Sequence, residues 1–235
     1  MTDEYDPGLA TELEPHPGGS VRSDPLPLEI RTSYGYDLRD MGLRAADALA
    51  AHAGFVAEME KRFRAREEVR QAMNIPAIAI LGYGRAGKDT AGAYLARELG
   101  LPLGGSSSDN LGVFVAHMAG KPYAEAYAER HSYRKFWIEA GHAVRGRDLT
   151  MLARMVLARG DFAVGLRGRE ELHGCQRSGL VQFSLWVDNP RVPRDETVEF
   201  GPDDCDLVVP NHGSFTQLYA RLDKLCVLLK TKYYL

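Results

Sequence analysis

Residues 77–90 read Ala77-Ile78-Ala79-Ile80-Leu81-Gly82-Tyr83-Gly84-Arg85-Ala86-Gly87-Lys88-Asp89-Thr90 and run on into AGAYLAREL. The first five residues are a short, continuous apolar run, the pattern of a strand buried on both faces of a parallel sheet. Glycine, four residues, glycine and lysine follow directly. That is the spacing of a phosphate-binding loop between a strand and a helix. Glycines let the backbone curl until successive N–H groups point inward at phosphate oxygens. The following helix aims its positive end at the same place, and Lys88 adds a point charge for the β- and γ-phosphates. Asp89 stands where Ser or Thr usually holds magnesium, with Thr90 one residue later. The expected ligands are ATP on Gly82–Thr90 and Mg²⁺ near Asp89 and Thr90.

Working outward from this loop, the chain reads as an α/β protein. The expectation is a P-loop NTPase with a doubly wound parallel sheet of about five strands and an N-terminal helical extension. Further strands are expected at 101–106, 161–166, 181–187 and 206–210, and helices at 121–142, 148–159 and 214–230. Polar groups collect at the strand ends, as Ser106-Ser107-Ser108-Asp109, Arg167-Gly168-Arg169-Glu170 and Asp188-Asn189. Asp109, and after it Glu170, are the candidate bases.

Arginines outnumber lysines 22 to 7, and several fall where phosphate would be. Planar guanidinium forks suit a transferring phosphoryl group, whose equatorial oxygens carry the developing charge. Arg134 and Arg167 are the candidates for that role. Arg130, His131, Arg145, Arg169, Glu170 and Arg194 are candidates for the acceptor. Trp137 and Trp186 read as packing residues.

Ahead of the loop, residues 40–73 are rich in good helix formers. Leu49, Val56 and Phe63 recur at seven with Met59 between them, Asp40 reads as an N-cap and Pro76 as the stop. The stripe fits a brace on the main domain or a homodimer face. Residues 1–30 hold seven acids, one base and five prolines, and too little apolar surface to offset ordering entropy, so they read as a tail. The expected division is a tail at 1–33, a helical extension at 34–74 and a phosphate-binding domain at 75–235.

Composition narrows the class. The 235 residues are 45% hydrophobic and 26% charged, which excludes wholesale disorder. The net charge is −3, and taking out residues 1–30 leaves +3, so no general basic coat for nucleic acid exists. Three cysteines form no CxxC pair, and no apolar run is long enough to span a membrane. A protein of the reducing cytoplasm, without a membrane partner, is expected.

With these segments in hand, the chain resembles the nucleotide kinases of tailed bacterial viruses, which are similar to thymidylate and other deoxynucleoside monophosphate kinases. The resemblance rests on the GKDT form of the loop, on FAVGLRGREEL, and on Cys205–Ser214 followed by FTQLYARLDKL. It covers residues 75–230. It implies that Asn211 and Gly213 border the adenine of ATP, that Arg167 faces phosphate, and that the protein works in the infected bacterial cell. The run RHSYRKFWIEAG, with LWVDNPRVPRDETVEFGPDDCD further on, resembles the phage kinases that phosphorylate 5-hydroxymethyluracil in DNA on the way to hypermodified thymidines. No lid subdomain is evident after Arg167, which fits an open site. The expected partner is therefore DNA containing 5-hydroxymethyluracil. A deoxynucleoside monophosphate kinase gripping its acceptor with Arg134 and Arg145 is the alternative, and an ATP-binding regulatory module is the third.

Overall fold

The computed structural model describes residues 38–146 and 148–234, so the tail expected at 1–33 lies outside the described residues. Five strands form one sheet: β1 (Ile78–Leu81), β2 (Leu103–Ser106), β3 (Phe162–Val164), β4 (Phe183–Asp188) and β5 (Leu207–Pro210). All pair in parallel, in the order β2-β3-β1-β4-β5. The first strand is thus central, and its apolar run is fully buried.

Alternation along β1 sorts the two faces. Ile78 and Ile80 meet Ala91 and Leu95 of α3 (Lys88–Leu99) and Leu218 and Leu222 of α9 (Phe215–Tyr233). Ala77, Ala79 and Leu81 turn to the other face. There they meet Ala153 and Val156 of α7 (Met151–Leu157) and Leu172 of α8 (Arg169–Arg177). Helices cover both faces, so the doubly wound α/β architecture read from the sequence is present. The expected strands fall within two residues of the observed ones.

Three local expectations are corrected. The segment 121–142 is not one helix: α5 (Tyr123–Ala128) ends before a turn, and α6 (Arg134–Arg145) begins anew. Ser107–Asp109 is not a loop but the first turn of α4 (Ser107–Ala119), closed by a Ser106–Asp109 capping box. Arg169 and Glu170 likewise open α8 rather than trailing a strand.

The stretch 40–73 forms two helices, α1 (Leu38–Ala51) and α2 (Ala53–Met73), broken at His52. Asp40 lies inside α1, where its carboxylate pairs with Arg44 at 2.8 Å, and is not an N-cap. Asn74, with φ +54°, closes α2 in the left-handed region. The apolar stripe is turned inward: Met59 and Phe63 are buried, and Leu49 and Val56 are half-buried. Met41, Ala45 and Ala48 share a core with Phe114 of α4 and Trp137 of α6.

One buried ionic cluster fastens this arm to the sheet. Asp161, just before β3 and fully buried, accepts from the guanidinium groups of Arg66 and Arg70. Arg70 also donates to the carbonyls of Leu157 at 2.9 Å and Gly160 at 3.3 Å. The backbone of Asp161 meanwhile bonds Ile78 and Pro102, so one residue ties α2, β1 and the entry to β2. Among the described residues no helix is long and apolar enough to cross a membrane.

Removing one partner of a buried pair leaves the others uncompensated. Asp161→Ala is therefore expected to lower the unfolding free energy by about 3 kcal/mol, as cavity and stranded charge add. Urea unfolding followed by far-ultraviolet circular dichroism measures it; a loss under about 1 kcal/mol, the worth of an exposed pair, would contradict it.

Candidate functional site

In a parallel sheet wound on both faces, the segments that leave the carboxyl ends of the strands gather along one edge. Each strand sends one here. The glycine loop follows β1, Ser107 and Ser108 follow β2, Arg167 follows β3, Asp195 follows β4 and Asn211 follows β5.

The glycine loop is shaped by contacts only glycine permits. Gly87 has φ +97°, and a Cβ there would stand 2.5 Å from Asn211 Nδ2. Asn211 Nδ2 donates to the Ala86 carbonyl at 2.8 Å, so the turn after β5 clamps the loop. A Cβ on Gly82 would lie 2.7 Å from the Val187 carbonyl. Helix α3 begins at Lys88 with no side-chain cap on its first turn. Its leading N–H groups face the loop's concavity beside glycine, which is the donor set an anion takes. These residues fit a polyphosphate. Lys88 is buried, and its Nζ donates to the Tyr83 carbonyl at 3.1 Å. Burial lowers the pKa of this ammonium, and the nearby Arg167 and Arg134 add to the effect against the pull of Asp89 and Asp195. Arg85 and Asp89 are exposed, and Thr90 is half-buried.

Beside the loop lies a half-open cleft, about 660 Å³ when the solvent at its mouth is counted with it. Arg130, Arg134, Arg145 and Arg167 line it with His131 and His142, and no acid does. Leu111, Trp137 and Ile138 make an apolar wall, while Ser107, Ser108 and Thr197 supply hydroxyls. Trp137 is buried as packing and lines the cleft at once; Trp186 is buried in the core.

At the mouth, two arginines from distant parts of the chain meet one carboxylate. Arg134 Nη2 reaches Asp195 Oδ2 at 2.5 Å, and Arg167 Nη1 reaches the same oxygen at 3.1 Å. Asp195 Oδ1 accepts from the Thr197 hydroxyl at 2.5 Å and from its N–H at 3.2 Å. Burial alone would raise the Asp195 carboxyl. Hydrogen bonds from Thr197, Arg167 and Arg134 outweigh it and hold the group well below the usual carboxylate range. Deeper in, Arg145 lies against Gly141 and pairs with the buried Glu171 at 3.5 Å. His131 is exposed, and desolvation together with Arg130, Arg134 and Arg85 shifts its pKa down.

The structure thus gathers Lys88, Arg130, His131, Arg134, Arg145 and Arg167. It turns others away. Asp109 spends one oxygen on the Ser106 N–H at 2.9 Å and the other on the Tyr127 hydroxyl at 2.6 Å, so the leading candidate base is a capping residue. Arg169 binds Asp204 and Glu199 outside the cleft, and Glu170 and Arg194 are exposed and off its lining. Asn211 remains at the glycine loop, which it holds through the Ala86 carbonyl. The sequence reading passed over Asp195, Thr197 and Glu171. The only local signal was Asp-x-Thr after Arg194, the composition of a side-chain-to-backbone turn.

No protein-family model matches the chain, and neither does any curated protein or solved structure. The site is read from its own geometry.

Two outcomes follow from that geometry. Gly87→Ala, strained at its positive φ and crowded by Asn211, is expected to lower the unfolding free energy by about 1–3 kcal/mol in urea unfolding. The Asp195 contribution to stability has a defined sign. Its folded pKa lies below the unfolded value of about 3.9, so the contribution is present above pH about 4 and is lost as pH falls through the folded value. The melting difference between the wild type and Asp195→Asn should be full at pH 7 and shrink towards pH 2 in thermal scans.

Proposed function

We propose that the protein is an ATP-dependent phosphotransferase of the P-loop kinase type. Its acceptor in this reading is the 5-hydroxymethyl group of 5-hydroxymethyl-deoxyuridine in viral DNA. The observation that carries the transfer chemistry is the convergence of Arg134 and Arg167 on one anionic position beside the glycine loop. Phosphoryl transfer depends on positioning and on neutralising charge at the transferring group more than on a strong base. The strand order, with the loop on the central strand, supports the same reading.

When bound, ATP with Mg²⁺ supplies the phosphoryl group and shields part of its charge. The residues of the chain then have separable roles. Gly82–Gly87 and the first turn of α3 hold the phosphate oxygens, with Lys88 as a point charge. Arg134 and Arg167 neutralise the charge that develops during transfer. Trp137, Ile138 and Leu111 offer a face to the acceptor base. His131 lines the same cleft and is placed to contact the acceptor, whose hydroxyl proton passes to solvent as the new phosphorus–oxygen bond forms and ADP departs. A base paired in a duplex is out of reach, so the enzyme would flip the nucleotide or act on an open strand.

A second reading, deoxynucleoside monophosphate kinase, is favoured by the four arginines that line one cleft, which suit an acceptor carrying its own phosphate. Transfer from γ-labelled ATP separates the two. Label confined to DNA containing 5-hydroxymethyluracil, and absent from thymine DNA and from free mononucleotides, is the expected result; label in a free diphosphate would select the second reading.

Lys88→Ala is expected to abolish transfer to either acceptor, and Arg167→Ala to lower kcat about a hundredfold, the scale for one lost donor to developing charge. Retention of wild-type rates by Lys88→Ala would overturn the whole assignment. With a DNA acceptor, activity should also fall steeply between 50 mM and 200 mM salt.

A further inference from the structure

The Asp195 carboxylate sits where the proposed chemistry needs an anion. One of its oxygens accepts from both Arg134 and Arg167. The other is tethered to the backbone and hydroxyl of Thr197, whose hydroxyl also accepts from Arg167 at 2.6 Å. Its Oδ2 lies only 3.3 Å from where a Cβ on Gly84 would stand, so the carboxylate rests against the glycine loop itself. Arg134 and Arg167 bind this acid directly, and Lys88 feels it as well, though less than it feels Asp89.

The segment that delivers it is held by polar contacts at Arg191, Asp195 and Thr197 rather than by buried apolar side chains. Between β4 and β5 the chain runs through Pro190, Arg191, Pro193, Arg194 and Glu196, all exposed, before Val198 and Phe200 bury it again. Arg191 touches the His212 carbonyl and so links the segment to the turn that clamps the loop. A segment with few buried contacts between two anchored ends swings at small cost.

We propose that Asp195 is a tethered stand-in for the transferring phosphoryl group, and that residues 189–197 form a strap displaced when that group enters between Gly84, Arg134 and Arg167. This rests on the phosphotransferase reading. A phosphoryl group brings more charge and more acceptor oxygens than a carboxylate, so it wins the two guanidinium forks and frees Asp195 to leave with the strap. In the meantime the stand-in keeps the arginines satisfied and pointed at one place. Nucleotide affinity is thereby set by a competition inside the chain, and occupancy by weak anions such as chloride or acetate is suppressed.

The test compares the full-length wild type with Asp195→Asn by calorimetric titration of tripolyphosphate and, separately, of ATP·Mg²⁺. A displaced competitor predicts that the variant binds both about fivefold more tightly or better, the scale of a half-exposed ion pair. It also predicts a lowered melting temperature in anion-free buffer that inorganic phosphate restores, which a merely structural aspartate would not show. Thr197→Val, which loosens the tether and keeps the charge, should shift affinity the same way by less, and it decides the matter if Asp195→Asn does not fold. Unchanged or weaker binding by the variants, with the wild type binding well, overturns the stand-in and leaves the kinase reading intact. Failure of the wild type and variants alike to bind either probe overturns both.

Discussion

A parallel sheet imposes one constraint on everything attached to it: the chain leaves every strand at the same edge. Five strands here send five segments to that edge, and the candidate site is assembled from them. The central strand brings the glycine loop, and the strand beside it, β3, brings Arg167. On the other side β4 brings Asp195 and β5 brings Asn211. Burial of β1 on both faces is therefore more than core formation. It fixes the loop in the one place where residues separated by more than a hundred positions in sequence can reach it.

Electrostatics then divides the edge into zones. Lys88 is desolvated against the loop, Arg134 and Arg167 meet outside it, and Arg145 is held deeper by the buried Glu171. Glu171 is almost fully enclosed, and its carboxyl is pushed upward by burial while Arg145 and the nearby N–H groups of Arg167 and Gly168 pull it down. A gradient of cationic groups, from a buried ammonium to half-exposed guanidinium forks, runs from the glycine loop into the cleft.

The legible parts of the sequence were those whose signals are local. The strand, loop and helix at 77–99 are contiguous, and each carries its own physical signature. Helix α4 was missed because Ser106-Ser107-Ser108-Asp109 reads as polar loop, although Ser-x-x-Asp is also the spacing of a capping box. The break between α5 and α6 contains neither glycine nor proline, so nothing in composition marks it. Asp195 finds its partners 61 and 28 residues away, a distance no periodicity encodes. Arg134 and Arg167 were legible as candidates because guanidinium suits phosphate; their meeting point was not, because it is made by the tertiary fold.

The arm ahead of the sheet has its own lesson, carried by Asp161. Composition changes sharply at Pro76, and the change looks like a boundary between modules. The fold ignores it. Arg66 and Arg70 satisfy a carboxylate that also organises the entry to two strands, and α1 and α2 complete the core over α4 and α6. Without the arm, Asp161 would lose both guanidinium groups while still buried, and the apolar faces of α4 and α6 would meet water, so the arm and the sheet fold as one unit.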